Sequence, residues 1–324
     1  MLTVLRSCLL ALGLIVLAPS AWAGEQPSPG MKKLTVMLDW FVNPDHAALV
    51  VAQERGFFAA QGLEVELQTP ADPNDPPKLA AAGKVDLAVS YQPQLFIQVN
   101  AGLPIKRIGT LVSTPLNSLV VLKDGPVKSL ADLKGHKIGY SVGGFEEALL
   151  KAMLGKAGLK PQDVTLVNVN FSLSPALMSK QVDAVIGAFR NFELNQLDLA
   201  KKPGRAFYPE EEGIPPYDEL VLVANRDKLN DGRYRQFLTG LEYATLYLLN
   251  HPDDAWKAFI TKHKDLDDEL NRRAWRDTLP RLARRPAALD EGGYKRFAQF
   301  LAKQGVITVA LPVSNYAVQL PQPD

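Results

Sequence analysis

The chain has 324 residues, with 36 basic against 35 acidic side chains, 47% hydrophobic residues and one cysteine. A net charge of +1 with no basic stripe argues against nucleic acid as a partner. A chain of this length and apolar content can bury two cores, so two domains are expected.

Residues 1–23 read as a secretory signal. Arg6 supplies the positive start, Ser7 to Pro19 the apolar run, and Ala21-Trp22-Ala23 the small-residue cleavage pattern. That run is shorter than the ~18 apolar residues a membrane span needs, and no later stretch reaches that length. Cys8, the one cysteine, falls inside this leader and too early for an acylation site. The exported chain would then carry no thiol, which excludes disulfides, cysteine nucleophiles and thiolate metal sites. A free, soluble periplasmic protein is the expectation.

From Leu34 to Leu38 the chain has strand character and runs into the turn Asp39-Trp40-Phe41-Val42-Asn43-Pro44-Asp45-His46. Trp40 offers a flat face, while Asp39, Asn43 and His46 offer hydrogen-bonding groups. A turn at the carboxyl end of a strand is where α/β sheets present ligands, although a strand-ending Trp is also at home in a core. An amphipathic helix is expected over 47–61, stopped by Gly62, then a strand over 63–69, a Pro-rich loop, and a helix over 77–82. Strands over 85–89 and 105–112 bracket a helix over 94–101, and Ser90-Tyr91 ends the first of them. This βαβα alternation predicts a parallel sheet.

A second series begins near Asn117. Ser129 and Asp132 form a capped turn. A strand over 137–141 then leads into Gly143-Gly144-Phe145-Glu146-Glu147 and a helix over 145–157. Strands over 164–169 and 182–188 follow, with "VDAVIG" at Val182 repeating "VDLAVS" at Val85. The free N–H groups of Gly144 and Phe145 could face an anion or carbonyl. Glu146 and Glu147 compensate the helix dipole themselves, so the stretch reads equally as a plain helix start. After the strand ending at Ala188 comes Phe189-Arg190-Asn191-Phe192-Glu193, two aromatics and a carboxylate suited to a flat heterocycle, or else a capped helix start. Tyr217 to Asn225 is the last expected strand, and helices fill the chain from about Asn230. Polar, Pro-bearing stretches near 113–117 and 213–217 divide the chain into one lobe of 31–113 plus 217–324 and another of 117–213. Two crossings make a hinge, and ligands favour such interfaces. His46, His136, His251 and His263 have no metal-ligand spacing, and no nucleophile elbow or phosphate loop is present.

Taken together, "LDWFVNPDH", "AQERGFFAAQGLEVEL", "GKVDLAVS", "SLADLKGHKIGYSVGGFEE" and "VDAVIGAFRNFE" resemble the exported binding proteins that serve ABC importers of the thiamine pyrimidine precursor. They are also similar to the fungal enzymes that make that pyrimidine. The resemblance implies the periplasmic-binding-protein type II fold: two α/β lobes on a two-crossing hinge, with a helical C-terminal part. It implies a formylaminopyrimidine or hydroxymethylpyrimidine ligand clamped in the cleft, an ABC permease as partner, a monomer, and no cofactor. Site residues carried over are Trp40 as stacking aromatic, Asn43 and His46 in the turn after it, and Glu193 as the carboxylate for ring nitrogen and amino group. Ser90, Tyr91, Tyr140, Gly143, Gly144, Phe145, Glu146, Phe189 and Asn191 are expected around them. Arg190 departs from the pattern and, with the two glycines, favours a sulfonate, nitrate or taurine ligand instead. The fungal enzymes carry a lysine and a histidine where this chain has Ser90 and Gln94, so no Schiff base to pyridoxal phosphate is expected there and the enzyme reading is set aside.

Overall fold

The computed structural model describes residues 30–321, and the expected signal segment lies outside the described residues. Among the described residues ten strands form: β1 Lys32–Met37, β2 Leu63–Gln68, β3 Leu87–Tyr91, β4 Ile105–Val112, β5 Asn117–Leu122, β6 Lys137–Tyr140, β7 Thr165–Asn168, β8 Ala184–Phe189, β9 Gly204–Phe207 and β10 Leu220–Asn225. They build two five-stranded sheets, ordered β2-β1-β3-β10-β4 and β7-β6-β8-β5-β9.

The sheets are mixed rather than parallel. In the first, β1 runs parallel to β2 and β3, but β10 is antiparallel to both β3 and β4. In the second, β6 is parallel to β7 and β8, while β5 is antiparallel to β8 and β9. The cause lies in how the chain enters each strand. Local βαβ crossovers give parallel neighbours. Strands β5 and β10, by contrast, begin where the chain passes from one sheet to the other, at 113–116 and 208–219. Each sheet receives that incoming strand fourth from its parallel edge.

Burial follows the strand positions. Leu34 and Val36 on β1 and all five residues of β3 are sequestered, as strands covered on both faces must be. The expected helix over 47–61 is two helices, Ala47–Glu54 and Phe57–Ala60, because Gly56 adopts φ +74°, a left-handed conformation that ends the first. Of the long C-terminal helices, Gly232–Asn250 packs on Ala47–Glu54 and Phe57–Ala60, and Glu291–Lys303 meets the helix Gln92–Asn100 through Phe297 and Phe96. The fully buried Arg107 on β4 donates to Thr110 Oγ1 at 2.7 Å and to the carbonyls of Pro286 and Ala287 at 3.1 and 3.2 Å. These bonds fasten the 286–288 segment over β4. Among the described residues no helix is long and apolar enough to cross a membrane.

Candidate ligand-binding site

Four strands, β1, β3, β6 and β8, end at one narrow cavity between the two sheets. Asp39, Trp40, Asn43 and Asp45 come from the turn after β1, and Tyr91 ends β3. Glu146 follows β6, Leu173 opens the helix Leu173–Met178, and Gly187, Phe189, Phe192 and Glu193 belong to β8 and the turn after it.

The first turn is fixed locally. Asn43 Oδ1 accepts from Asp45 N at 2.8 Å, and Asn43 N donates to His46 Nδ1 at 3.3 Å. With Nδ1 accepting, Nε2 carries the proton and donates to Asp39 Oδ1 at 2.9 Å. Asp39 Oδ2 receives the Tyr91 hydroxyl at 2.8 Å. Asp39 is therefore held from two sides, and His46 sits behind it as a support rather than on the cavity wall. Tyr91 in turn stacks on Phe145, centroids 4.8 Å apart at 23°, and meets Phe189 edge-on at 6.4 Å. Trp40 presses edge-on against Phe171 of the opposite lobe at 4.5 Å.

Carboxylates dominate the electrostatics. Asp39, Asp45, Glu146 and Glu193 all line the cavity, and among the described residues no lysine, arginine or histidine does. Burial pushes Asp45 up to about 6, Glu193 up to about 7 and Glu146 up to about 8. Backbone N–H groups oppose the rise: Ser141 N donates to Glu146 Oε2 at 2.8 Å and Phe189 N to Glu193 Oε2 at 2.6 Å. Asp45 Oδ1 accepts from Asn191 Nδ2 at 2.6 Å and Thr278 Oγ1 at 3.0 Å, which joins the β1 turn, the β8 turn and the helix Glu269–Thr278. Burial also holds the Tyr91 hydroxyl well above its usual range, so it remains a donor.

Of the residues expected from the sequence, Trp40, Asn43, Tyr91, Glu146, Phe189 and Glu193 come together on this cavity. His46, Phe145 and Asn191 stand one layer behind it as supports. The others are spent elsewhere. The Ser90 hydroxyl donates to Gln94 Oε1 at 2.9 Å, and Tyr140 packs against the apolar core. Gly143 N donates to Asn74 Oδ1, and Gly144 N to Glu147 Oε2, each at 2.8 Å, so the helix start offers no open anion site. Arg190 turns away from the cavity. It grips Glu210 with two nitrogens at 2.5 and 2.9 Å, and its guanidinium lies 4.0 Å from the centre of the Tyr208 ring. Asp45, Leu173 and Gly187 were not anticipated. Gly187 carried a usable signal, since a glycine inside a strand marks a close approach. Among the described residues no group of three or more His, Cys, Asp or Glu could hold a metal ion.

Comparison with known proteins adds the family. Residues 43–255 match the family model described as NMT1/THI5 like. A Haemophilus influenzae protein named for thiamine biosynthesis is 59% identical over 295 residues, which is 91% of this chain and 94% of that one. The formylaminopyrimidine-binding protein of Halalkalibacterium halodurans is 33% identical over 268 residues, 81% of this chain and 79% of the relative. A Schizosaccharomyces pombe 4-amino-5-hydroxymethyl-2-methylpyrimidine phosphate synthase is 26% identical over 251 residues, 74% and 72% of the two chains. Among solved structures, the alkanesulfonate-binding protein SsuA from Xanthomonas axonopodis superposes with a TM-score of 0.69 at 18% identity, covering 89% of this chain and 98% of that one. The architecture is thus the two-lobe periplasmic-binding-protein type II fold.

Proposed function

The chain belongs to the NMT1/THI5-like family and has a substrate-binding-protein fold, and from that premise we propose that it is the periplasmic solute-binding component of an ABC importer. Its cargo is an aminopyrimidine precursor of thiamine, formylaminopyrimidine or its hydroxymethyl relative. One observation carries this reading: an aromatic-walled cavity lined by four carboxylates and no cation. A flat ring lies against Trp40. Its ring nitrogen and exocyclic amine meet the Glu193 carboxyl, which shares one proton with the ring. A charge-assisted bond of that kind contributes roughly 1.5–3 kcal/mol. Asp45, tied to Asn191 and Thr278, spans the cleft and supports closure around the ligand, the hinge motion that such folds use. The unit delivers its ligand as a monomer to a membrane permease, and lobes of 31–113 plus 217–324 and of 117–213 move about the two crossings.

A sulfonate or nitrate reading finds no support in the cavity, because its lining offers an anion no cationic side chain and Arg190 is neutralised by Glu210. An enzymatic reading, suggested by the synthase relatives, lacks a lysine in the cavity to bear a pyridoxal aldimine. Isothermal titration of the purified protein is the test. Heat with hydroxymethyl- or formylaminopyrimidine and none with taurine or alkanesulfonates is expected; the reverse pattern overturns the proposal.

A further inference from the structure

Beyond Trp40 the cleft continues into a second chamber of about 240 Å³. Trp40, Asn43, Leu173, Phe192 and Glu193 border both chambers, so they form a partition with the inner cavity on one side and the outer on the other. We infer that this outer chamber is a ligand subsite, and that the protein accepts aminopyrimidines extended by a second small flat ring, neutral or cationic. The inference rests on the aminopyrimidine reading of the inner cavity and adds a larger class of ligand to it.

Three observations carry it. The first is the character of the walls. Phe41 and Phe171, 4.6 Å apart, give the outer chamber an aromatic side, and Pro175 and Val42 extend its apolar surface. The second is charge. Among the described residues Glu193 is the one ionisable group on the lining, with no lysine or arginine, so a cationic ring is welcome and a phosphate is not. The third is a pair of unmet polar groups. Ser174 and Asn271 line the chamber and are almost wholly buried, yet Ser174 Oγ and Asn271 Oδ1 have no partner within the protein. Asn271 Nδ2 is already committed to Asp268 Oδ1 at 3.0 Å. Buried polar atoms without partners are rare in native proteins; these two are closed to solvent, so a bound group meets them only as the chamber opens around it. The geometry fits a ring stacked on the inner face of Trp40 whose substituent passes Glu193 into the outer space.

The experiment compares three ligands and one position. 4-Amino-5-hydroxymethyl-2-methylpyrimidine is the bare ring, and thiamine is that ring with a second, cationic ring on a one-carbon link; thiamine monophosphate adds the anion. Gln196 borders the outer chamber alone, half-buried on the helix Glu193–Leu199, so Gln196→Trp fills that chamber without touching the inner one. By titration calorimetry, thiamine should bind the wild type at least as tightly as the bare ring, and its monophosphate at least tenfold more weakly. Gln196→Trp should weaken thiamine at least tenfold and the bare ring less than twofold, with circular dichroism and urea denaturation of the variant reporting on its folding. Bare-ring binding with no thiamine binding overturns the subsite and leaves the proposed function standing, as does a Gln196→Trp effect that is equal for both ligands. No binding of the bare ring overturns the inner-cavity reading itself, and the loss of thiamine binding in Gln196→Trp then tests the outer chamber alone.

Discussion

The Glu146 carboxyl lies directly over Gly187: a Cβ on that glycine would stand 2.3 Å from Oε1 and 2.5 Å from the carboxyl carbon. Gly187 also sits at φ +96°, where a side chain is strained whatever the space. The absent Cβ is thus what admits a buried acid to the cavity floor. Gly187→Ala should expel Glu146, lower stability by about 1–3 kcal/mol, and weaken aminopyrimidine binding at least tenfold. Urea denaturation and calorimetry on the same preparation check both effects. Unchanged affinity would remove Glu146 from the site.

Trp40 is half-buried, and its edge contact with Phe171 crosses the cleft to the margin of the second sheet's hydrophobic cluster. Trp40→Ala should therefore abolish ligand binding. It should cost the empty protein only about 0.5–1.5 kcal/mol, the scale of an aromatic pair, well short of the 3–5 kcal/mol typical of a core tryptophan. A core-sized loss in urea denaturation would return Trp40 to a structural role.

How much of this was legible in the sequence depends on the range of the interaction. The turn at 39–46 showed itself because its caps are local: Asn43, Asp45 and His46 bond within three residues of one another. The strands that feed the cleft were legible for the same reason, since βαβ alternation is a pattern of neighbours. The mixed direction of the sheets was not, because β5 and β10 are set by crossings between sheets that leave no periodic trace. Arg190 looked available for an anion because its partner Glu210 lies 20 residues away in a stretch without periodicity. Asp45 escaped notice as a cavity residue because its partners, Asn191 and Thr278, are 146 and 233 residues distant. Gly187 was visible as a residue but not as a contact, since Glu146 reaches it only in three dimensions.

Arg190 makes a testable contrast. Its two-pronged grip on Glu210 and its bonds to the Leu116 and Asn117 carbonyls at 3.4 and 3.3 Å brace the chain where it crosses between sheets. Arg190→Ala should lower stability by about 1.5–3 kcal/mol, the range for charged hydrogen bonds, with no change in ligand class. A thermal-shift screen of sulfonates and pyrimidines against both proteins checks this. A sulfonate that stabilises the wild type but not the variant would make Arg190 the anion-binding residue.

The raised carboxyls give the molecule an unusual pH response. Burial lifts Asp45 from 3.8 to about 6, and it lifts Glu193 and Glu219 from 4.5 to about 7 and Glu146 from 4.5 to about 8. Between about pH 4 and pH 8 the folded protein therefore holds protons that the unfolded chain has released. Stability then falls as pH rises, because the slope follows the protons bound by the unfolded state minus those bound by the native state. The empty protein should melt at a higher temperature at pH 5 than at pH 8 and change little from these groups above pH 8. Most paired surface carboxylates act in the opposite sense, so Glu146→Gln should flatten the curve visibly in differential scanning calorimetry. Binding follows the same proton. A neutral ring that shares a proton with Glu193 finds it in place below about pH 7 and must take it from solvent above, so affinity should fall by up to tenfold per unit at higher pH. Calorimetry at pH 8 in two buffers of different ionisation enthalpy should reveal uptake of close to one proton. Uptake of none would mean that the ring meets an already charged carboxylate without sharing its proton.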